Sequence, residues 1–432
     1  MTNPVEQADN RSRIFYGWWI VGALFIVLVT TAGLGFYNAS VILSAAEKEL
    51  GLSTTVVSAA TAMFFGVSGI TGYTLAKRMD QVDIRLFYLA GGIMGALTLF
   101  GLKWVHSGPA LFLFFIVFGV SFAIAGLVPS TTLVARWFEK NRSVALSVSS
   151  TGLSVGGIAI TPFVGRALED HQLADVGPWL ALAWIIGVVP ITWLVLRSWP
   201  ADKGMKPDGE MLAVDEKVDL SKVPGATFAQ AKASRFYRLL CAVYALVFLA
   251  QVGGIAHLYN LTNGRVSSAA AGTALSVMAA SSVVGRLIGG VVVTRIPSRT
   301  MTLVLVLVQS AALAIIGLMT TKAGIVAGAV VFGLSVGNLL MLQPLLLAET
   351  YGVREYSRIY SFNQLFGTIG VAGGPFVIGA MKDLFDYRAA FLIAALANVV
   401  GFGLMIMAGS TKTRARPGRP RTPLWCVMPG RP

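Results

Sequence analysis

The stretch Met301–Thr320, MTLVLVLVQSAALAIIGLMT, contains no charged side chain in twenty residues. A helix needs about 20 mostly apolar residues to cross the hydrocarbon core of a bilayer. A strand of this length would be unusually long, because most strands have only 3–10 residues. The segment therefore predicts a membrane-spanning helix.

Eleven further apolar runs of similar length are bounded by charged or polar residues along the chain. They are Tyr16–Leu43, Thr55–Ala76, Ile84–Trp104, Pro109–Ala135, Ser143–Gly165, Trp179–Leu196, Leu239–Leu261, Ala269–Val293, Gly324–Leu347, Ser357–Met381 and Ala389–Ala408. One long polar stretch, Arg197–Arg238, separates the sixth run from the seventh. We therefore predict an all-α membrane protein with twelve transmembrane helices in two pseudo-symmetric six-helix bundles.

The composition of the 432 residues agrees with this fold class. Apolar residues make up 55% and charged residues 12%, and the mean hydropathy is +0.72. Soluble domains carry roughly 25% charged residues. These values exclude an ordinary soluble enzyme and a disordered chain. The only two cysteines, Cys241 and Cys426, are far apart in sequence, so we expect no disulfide scaffold.

The net charge of +14 reports membrane orientation and gives no sign of a nucleic-acid partner. If the N-terminus lies in the cytoplasm, 26 Lys and Arg residues fall on the cytoplasmic side and 7 on the outer side. Positive loops remain in the cytoplasm. We predict a multi-pass protein of the plasma membrane with both termini cytoplasmic. Its predicted segments are a cytoplasmic head (1–14), a first bundle (15–197), an interdomain loop (198–235), a second bundle (236–408) and a basic disordered tail (409–432).

The two halves repeat several features about half the chain length apart. The pairs are Phe15-Tyr16 with Phe236-Tyr237, Gly72…Lys77-Arg78 with Gly290…Thr294-Arg295, and Arg142-Ser143 with Arg358-Ile359. Parallel repeats of six helices, with a binding site between them near the bilayer midplane, occur in major facilitator transporters.

Over roughly residues 15–408 the chain resembles the major facilitator superfamily. Gly72 with Lys77 and Arg78 resembles the family's loop between helices two and three. Ala76 stands where the family places an Asp, and Thr294 stands at the corresponding place in the second half. This departure argues against the usual gating salt bridge on both sides. The resemblance implies gating roles for Gly72, Lys77, Arg78, Arg142, Gly290, Arg295 and Arg358.

A narrower resemblance is to monocarboxylate porters and the oxalate:formate antiporter group. Its segments are Arg136–Arg142 (RWFEKNR), Gly285-Arg286-x-x-x-Gly290, Ala348–Tyr360 (AETYGVREYSRIY) and Pro200–Gly209 (PADKGMKPDG). The resemblance implies transport of a small organic anion whose carboxylate pairs with Arg286. Helix eleven lacks the second deep basic residue of the oxalate-type members, which favours a monoanion. Ser282 replaces the Asp that monocarboxylate porters carry four residues before the arginine.

Arg286 is the only Lys or Arg that lies deep within a predicted span and not at its edge, and it stands nine residues before Arg295. At about 1.5 Å per residue it lies roughly 13 Å inside the membrane. An uncompensated arginine there costs about 2.5–3.5 kcal/mol, and its planar fork of donors suits a carboxylate. The alternative to substrate binding is a structural role for Arg286, in which its side chain snorkels to the membrane surface or bonds to helix-end carbonyls.

Other polar side chains at membrane depth must face partners or a wet cavity. We predict a substrate shell around Arg286 from a group on helices one, seven, ten and eleven: Tyr37, Asn38, Gln251, Asn338, Asn363 and Gln364. Hydrogen bonds that only pack helices together are the alternative for each of them. His257 is the only histidine in a span and is our candidate for proton coupling, since histidine titrates near neutral pH.

We therefore predict a secondary transporter that carries a small organic anion, with monocarboxylates as the favoured class, and that works by alternating access. Its partners would be the anion, H⁺ or a counter-anion, and the lipid bilayer, and we expect a monomer. An exporter of hydrophobic drugs or metabolites on the same fold is the alternative. The spans hold no paired Ser/His/Asp group or metal-ligand cluster, so we expect no enzyme, cofactor or metal site.

Overall fold

The computed structural model of the protein describes residues 15–212 and 224–409. The predicted head, part of the interdomain loop and nearly all of the basic tail lie outside these residues. Within them the structure has twelve helices long and apolar enough to cross a membrane. The predicted fold class is therefore confirmed.

We number the twelve long helices α1–α12 in chain order. Their bounds are Tyr16–Leu50, Thr54–Met79, Ile84–Phe100, Gly108–Trp137, Arg142–Asp170, Leu173–Val195, Arg235–Arg265, Ser268–Val292, Ser298–Leu318, Lys322–Tyr351, Tyr356–Leu384 and Tyr387–Met407. α1–α6 form the first half and α7–α12 the second. A short 3₁₀ turn, Gly101–Trp104, extends α3, and Gly126 interrupts α4.

Several helices are longer than their apolar runs because polar side chains stabilise the extra turns. α6 begins at Leu173, six residues before the predicted start, where the Glu49 carboxylate accepts the Leu173 N–H at 2.9 Å. α10 continues to Tyr351, and within its last turn the Glu349 carboxylate accepts a hydrogen bond from the Ser298 hydroxyl. Apolar length defines the part that crosses the membrane, and such contacts define where the helix ends.

α1 contains a π-helical stretch, Ala32–Tyr37, that its apolar sequence does not predict. Gly33 packs directly on the α5 backbone, because a Cβ built there would lie 2.9 Å from the Gly156 carbonyl oxygen. The extra residue per turn in a π-helix shifts the side chains that follow it. Tyr37 and Asn38 stand at the end of this stretch.

The central segment, residues 198–234, joins the halves. Its described parts contain two 3₁₀ turns, Pro200–Lys203 and Pro207–Gly209, and the short helix Phe228–Ala233. The segment crosses one end of the bundle, which we call the central-segment end. α2 and α4 finish at this end, and α5 and α11 begin there.

Candidate functional site

Arg286 is buried between the two halves, with 2% of its surface exposed. Its Nε donates to the Gly337 carbonyl of α10 at 3.0 Å, and its Nη1 donates to the Ser150 carbonyl of α5 in the opposite half. Its own carbonyl accepts a hydrogen bond from the Ser147 hydroxyl at 2.5 Å. Arg286 therefore joins α8 to α5 by both side chain and backbone.

These contacts leave part of the guanidinium available. An arginine side chain carries five N–H donors, and the hydrogen bonds found among the described residues use two of them. No carboxylate forms an ion pair with Arg286 in the part of the chain that the structure describes. Backbone carbonyl dipoles reduce the cost of burying the guanidinium, and its positive charge stays without a full counter-charge.

Tyr37 faces Arg286 from the first half. The two side chains interact electrostatically, and the Tyr37 ring lies against Gly157 of α5. Gly157 follows Ser150 by seven residues, so the two positions share a face of α5 about 10 Å apart. Tyr37 and Arg286 thus bound a short stretch of α5 from its two ends. That span is of the size of a small organic molecule.

Two asparagines adjoin this pair: Asn38 follows Tyr37 in the chain, and Asn338 lies near Arg286 in space. Asn38 is fully buried, and its side-chain amide has no hydrogen-bond partner among the described residues. The Asn338 amide donates to the Gly285 carbonyl at 2.8 Å, which places it against α8 one residue before Arg286. The predicted residues Arg286, Tyr37 and Asn338 therefore occur together on facing helices of the two halves, and Asn38 is linked to them by its place next to Tyr37 in the chain.

Three other predicted shell residues lie in the second half. Gln343 donates to the Asn363 side-chain oxygen at 2.7 Å, and Asn363 donates to the Cys241 sulfur at 3.3 Å. Gln364 follows on α11, and its Oε1 is buried without a hydrogen bond among the described residues, as is Oε1 of Gln251 on α7. Among the described residues, no contact places these three predicted residues, or Gln343, against Arg286.

His257 packs inside the second half as well. Its Nε2 lies 3.0 Å from the Pro375 carbonyl oxygen of α11, and its ring lies 5.9 Å from that of Tyr387 on α12. Its Nδ1 is buried and has no hydrogen-bond partner among the described residues. The structure thus places His257 at a junction of α7, α11 and α12 and not beside Arg286.

The two halves are in close contact at the central-segment end. The Thr132 and Ser357 hydroxyls are 3.1 Å apart, and the Tyr73 and Phe362 ring centroids are 5.2 Å apart. A Cβ built on Gly290 would lie 2.4 Å from Cβ of Ser147, so only glycine fits there. We call this set of contacts, together with those of Arg286, the gate.

An ion pair that the sequence analysis missed supports the gate. Asp80, one helical turn after Ala76, binds Arg136 of α4 at 3.0 Å, with 14% and 1% of the two side chains exposed. Asp80 also interacts electrostatically with Ser357 and Glu355 of the second half. Burial raises the pKa of the Asp80 carboxyl above its ordinary value, although Arg136 and Ser357 act in the opposite direction. A search at i+4 from Ala76 would have found this carboxylate.

The predicted gating residues differ in how they contact the gate. Gly290 and Arg142 contact the gate, since Arg142 interacts electrostatically with Glu349 and Tyr356 of the second half. Arg358 forms an ion pair with Glu355 at 3.0 Å and lies over the Phe228 ring. The others are Gly72, which is buried without a tight contact, and Lys77, Arg78 and Arg295, which are exposed.

Comparisons with known proteins agree with this architecture. A sequence model of the Major Facilitator Superfamily matches residues 24–334 and 239–425. The agnestins efflux protein AgnL12 of Paecilomyces divaricatus is 25% identical over 401 residues, covering 88% of this chain and 85% of that protein. Monocarboxylate transporter 13 of Rattus norvegicus is 22% identical over 422 residues, covering 94% and 91%.

A solved structure shares the fold over nearly its whole length. The human organic anion transporter MFSD10 superposes with a TM-score of 0.67 at 16% identity, covering 90% of this chain and 99% of that one. The family match spans most of the sequence, and the twelve-helix fold is shared over 90% of this chain. The chain therefore belongs to the major facilitator superfamily of membrane transporters.

Proposed function

We propose that this transporter carries a small organic anion, a monocarboxylate by preference, and binds its carboxylate at Arg286. The observation that carries the proposal is a guanidinium buried between the halves. The hydrogen bonds found among the described residues use only two of its five N–H donors, and no carboxylate there pairs with it. Charge-assisted hydrogen bonds to a carboxylate contribute about 1.5–3 kcal/mol each. Tyr37 limits the length of the anion, and Asn38 and Asn338 supply further polar groups.

The same contacts support a mode of transport. Arg286 holds the gate through the Ser150 carbonyl, so a carboxylate that draws the guanidinium away weakens that contact between the halves. Occupied carriers would then open the central-segment end more readily than empty ones. This favours exchange of one anion for another during alternating access. With both termini in the cytoplasm, as the loop charges predict, the central-segment end faces the cytoplasm.

The substrate class is tested by transport into proteoliposomes. We expect counterflow of one or more straight-chain or hydroxylated monocarboxylates of two to six carbons, and no counterflow of the matching neutral amides. The amide keeps the shape and loses the charge that pairs with Arg286. Equal transport of acids and amides would contradict the proposal.

Export of hydrophobic compounds is the second candidate. The similarity to the agnestins efflux protein favours it, as does a cluster of aromatic rings beside Tyr37 in the first half: Phe36, Phe64, Phe65, Phe118 and Phe122. In the same vesicles this function would appear as accumulation of neutral or cationic dyes. It would also be insensitive to substitution of Arg286.

His257 remains our proton-coupling candidate for net transport. We expect His257→Gln to abolish the stimulation of net uptake by an inward proton gradient and to leave counterflow within twofold of wild type. Counterflow needs no net proton movement, whereas proton symport needs a group that binds and releases a proton during the cycle. His171→Gln is the matched control, because His171 is exposed. An unaltered response to the gradient in His257→Gln would exclude this role.

A further inference from the structure

The central segment is docked on the α4–α5 loop by one carboxylate. Asp208 Oδ2 accepts the backbone N–H groups of Glu139 at 3.1 Å and Lys140 at 2.8 Å, and Oδ1 accepts that of Asn141 at 3.4 Å. These N–H groups precede the first turn of α5, where a negative charge is favoured by the helix dipole. Asp208 has a φ of +63°, so the turn is shaped to present this side chain.

A second contact of the same segment is with Arg136. The guanidinium of Arg136 lies over the Trp199 ring at 4.3 Å, in the geometry of a cation–π interaction. Asp202 accepts the Trp199 N–H at 3.0 Å and interacts electrostatically with Arg136. The segment Pro200–Gly209 and the segment Arg136–Arg142, which the sequence analysis singled out separately, are thus partners in one structure.

Both arginines that receive these contacts belong to the gate. Arg136 binds Asp80, which meets Ser357 and Glu355 of the second half. Arg142 interacts electrostatically with Asp208 on one side and with Glu349 on the other. Each arginine therefore interacts both with a carboxylate of the central segment and with a group at the junction of the halves.

We propose that residues 199–209 form a clasp that holds the gate closed by positioning Arg136 and Arg142. Asp208 is the positioning residue, because it fixes the α4–α5 loop between the helix ends on which Arg136 and Arg142 lie, and it has no hydrogen bond to the second half among the described residues. Release of Asp208 would loosen the start of α5 and with it the contacts of Ser147 and Ser150. The clasp concerns gate stability alone, so it stands whether or not the substrate is a carboxylate.

Asp208→Asn tests the clasp in the full-length protein in lipid nanodiscs. Asn tolerates the positive φ but removes the charge and one acceptor. The reporter is Thr132→Cys, buried at the gate, in a Cys241→Ser, Cys426→Ser background. We expect labelling by a membrane-impermeant maleimide to be about tenfold faster than with Asp208 intact, since hydrogen bonds to a charged group are worth about that factor or more.

Two controls separate positioning from general destabilisation. A reporter at Ser310→Cys, buried between α9 and α12 within the second half, should keep its labelling rate. Glu210→Gln, two residues from Asp208 and exposed, should leave the Thr132→Cys rate unchanged. Asp208→Glu should restore slow labelling at least partly. A Thr132→Cys rate within twofold of the parent, or equal acceleration at both reporters, would overturn the proposal.

Discussion

Arg286→Lys is expected to lower counterflow of the transported anion by at least a hundredfold. Lysine keeps the positive charge but loses the planar fork that holds a carboxylate by two parallel hydrogen bonds. It also gives up the contacts with Gly337 and Ser150. At about 1.5–3 kcal/mol per charge-assisted hydrogen bond, loss of both parallel hydrogen bonds costs about 3 kcal/mol or more, which corresponds to at least a hundredfold. The measurement is initial-rate counterflow in proteoliposomes at matched protein density.

Arg265→Lys is the matched control for this experiment. Arg265 ends α7 and donates to the Ile316 and Met319 carbonyls, so it too is an arginine bonded to the backbone of a neighbouring helix. It lies outside the site that we propose. Counterflow within threefold of wild type is expected for the control. Similar rates for Arg286→Lys and wild type would remove Arg286 from the substrate site.

Arg136→Ala is expected to open the gate more strongly than any other single change in the described ion pairs. Removing one partner of a buried ion pair costs about 3–5 kcal/mol, because the remaining charge is left buried without compensation. Asp80 would be that charge. Labelling of the Thr132→Cys reporter should rise at least a hundredfold. Arg85→Ala is the control, because Arg85 and Asp83 are about one-third exposed and such pairs contribute at most about 1 kcal/mol.

The opening of the gate in Arg136→Ala should depend on pH in a defined direction. Burial already raises the pKa of Asp80, and the loss of Arg136 removes the largest influence that lowers it. A protonated Asp80 carries no charge, so its burial is favoured at low pH and becomes costly as the pH rises through its pKa. The ratio of the Thr132→Cys labelling rate with Arg136→Ala to the rate with Arg136 intact, both measured at the same pH, should therefore be larger at pH 8 than at pH 5; the ratio cancels the intrinsic rise of thiol reactivity with pH. A defect that is larger at pH 5 would contradict a role for Asp80.

The sequence predicted the helices better than their contacts. Runs such as Met301–Thr320 define a span because hydrocarbon tolerates few other arrangements of the backbone. The π-helical stretch at Ala32–Tyr37 was not predicted, since it depends on how closely α1 approaches Gly156 of α5. The residues of this segment alone do not predict how closely α1 approaches α5.

In the candidate site, too, the sequence predicted residues better than their contacts. The depth and isolation of Arg286 could be read from charge patterning alone. Its partners could not, because the Ser150 and Gly337 carbonyls are backbone groups that any residue type supplies. Asp80 was not predicted as a gate residue, because it lies one helical turn after the family's position and its partner, Arg136, is on another helix. The docking of Asp208 on the α4–α5 loop joins segments nearly seventy residues apart.

Binding of a carboxylate by Arg286 is tested most directly by thermal unfolding of the purified protein. The measurement compares wild type with Arg286→Lys, each with monocarboxylates of two to six carbons and with their amides. A ligand that binds only the folded state raises the melting temperature, and the rise grows with the logarithm of its concentration once that exceeds its Kd. The account predicts that at least one acid stabilises wild type, that its amide does not, and that Arg286→Lys responds to neither. Equal stabilisation of both proteins by the same acid would contradict it.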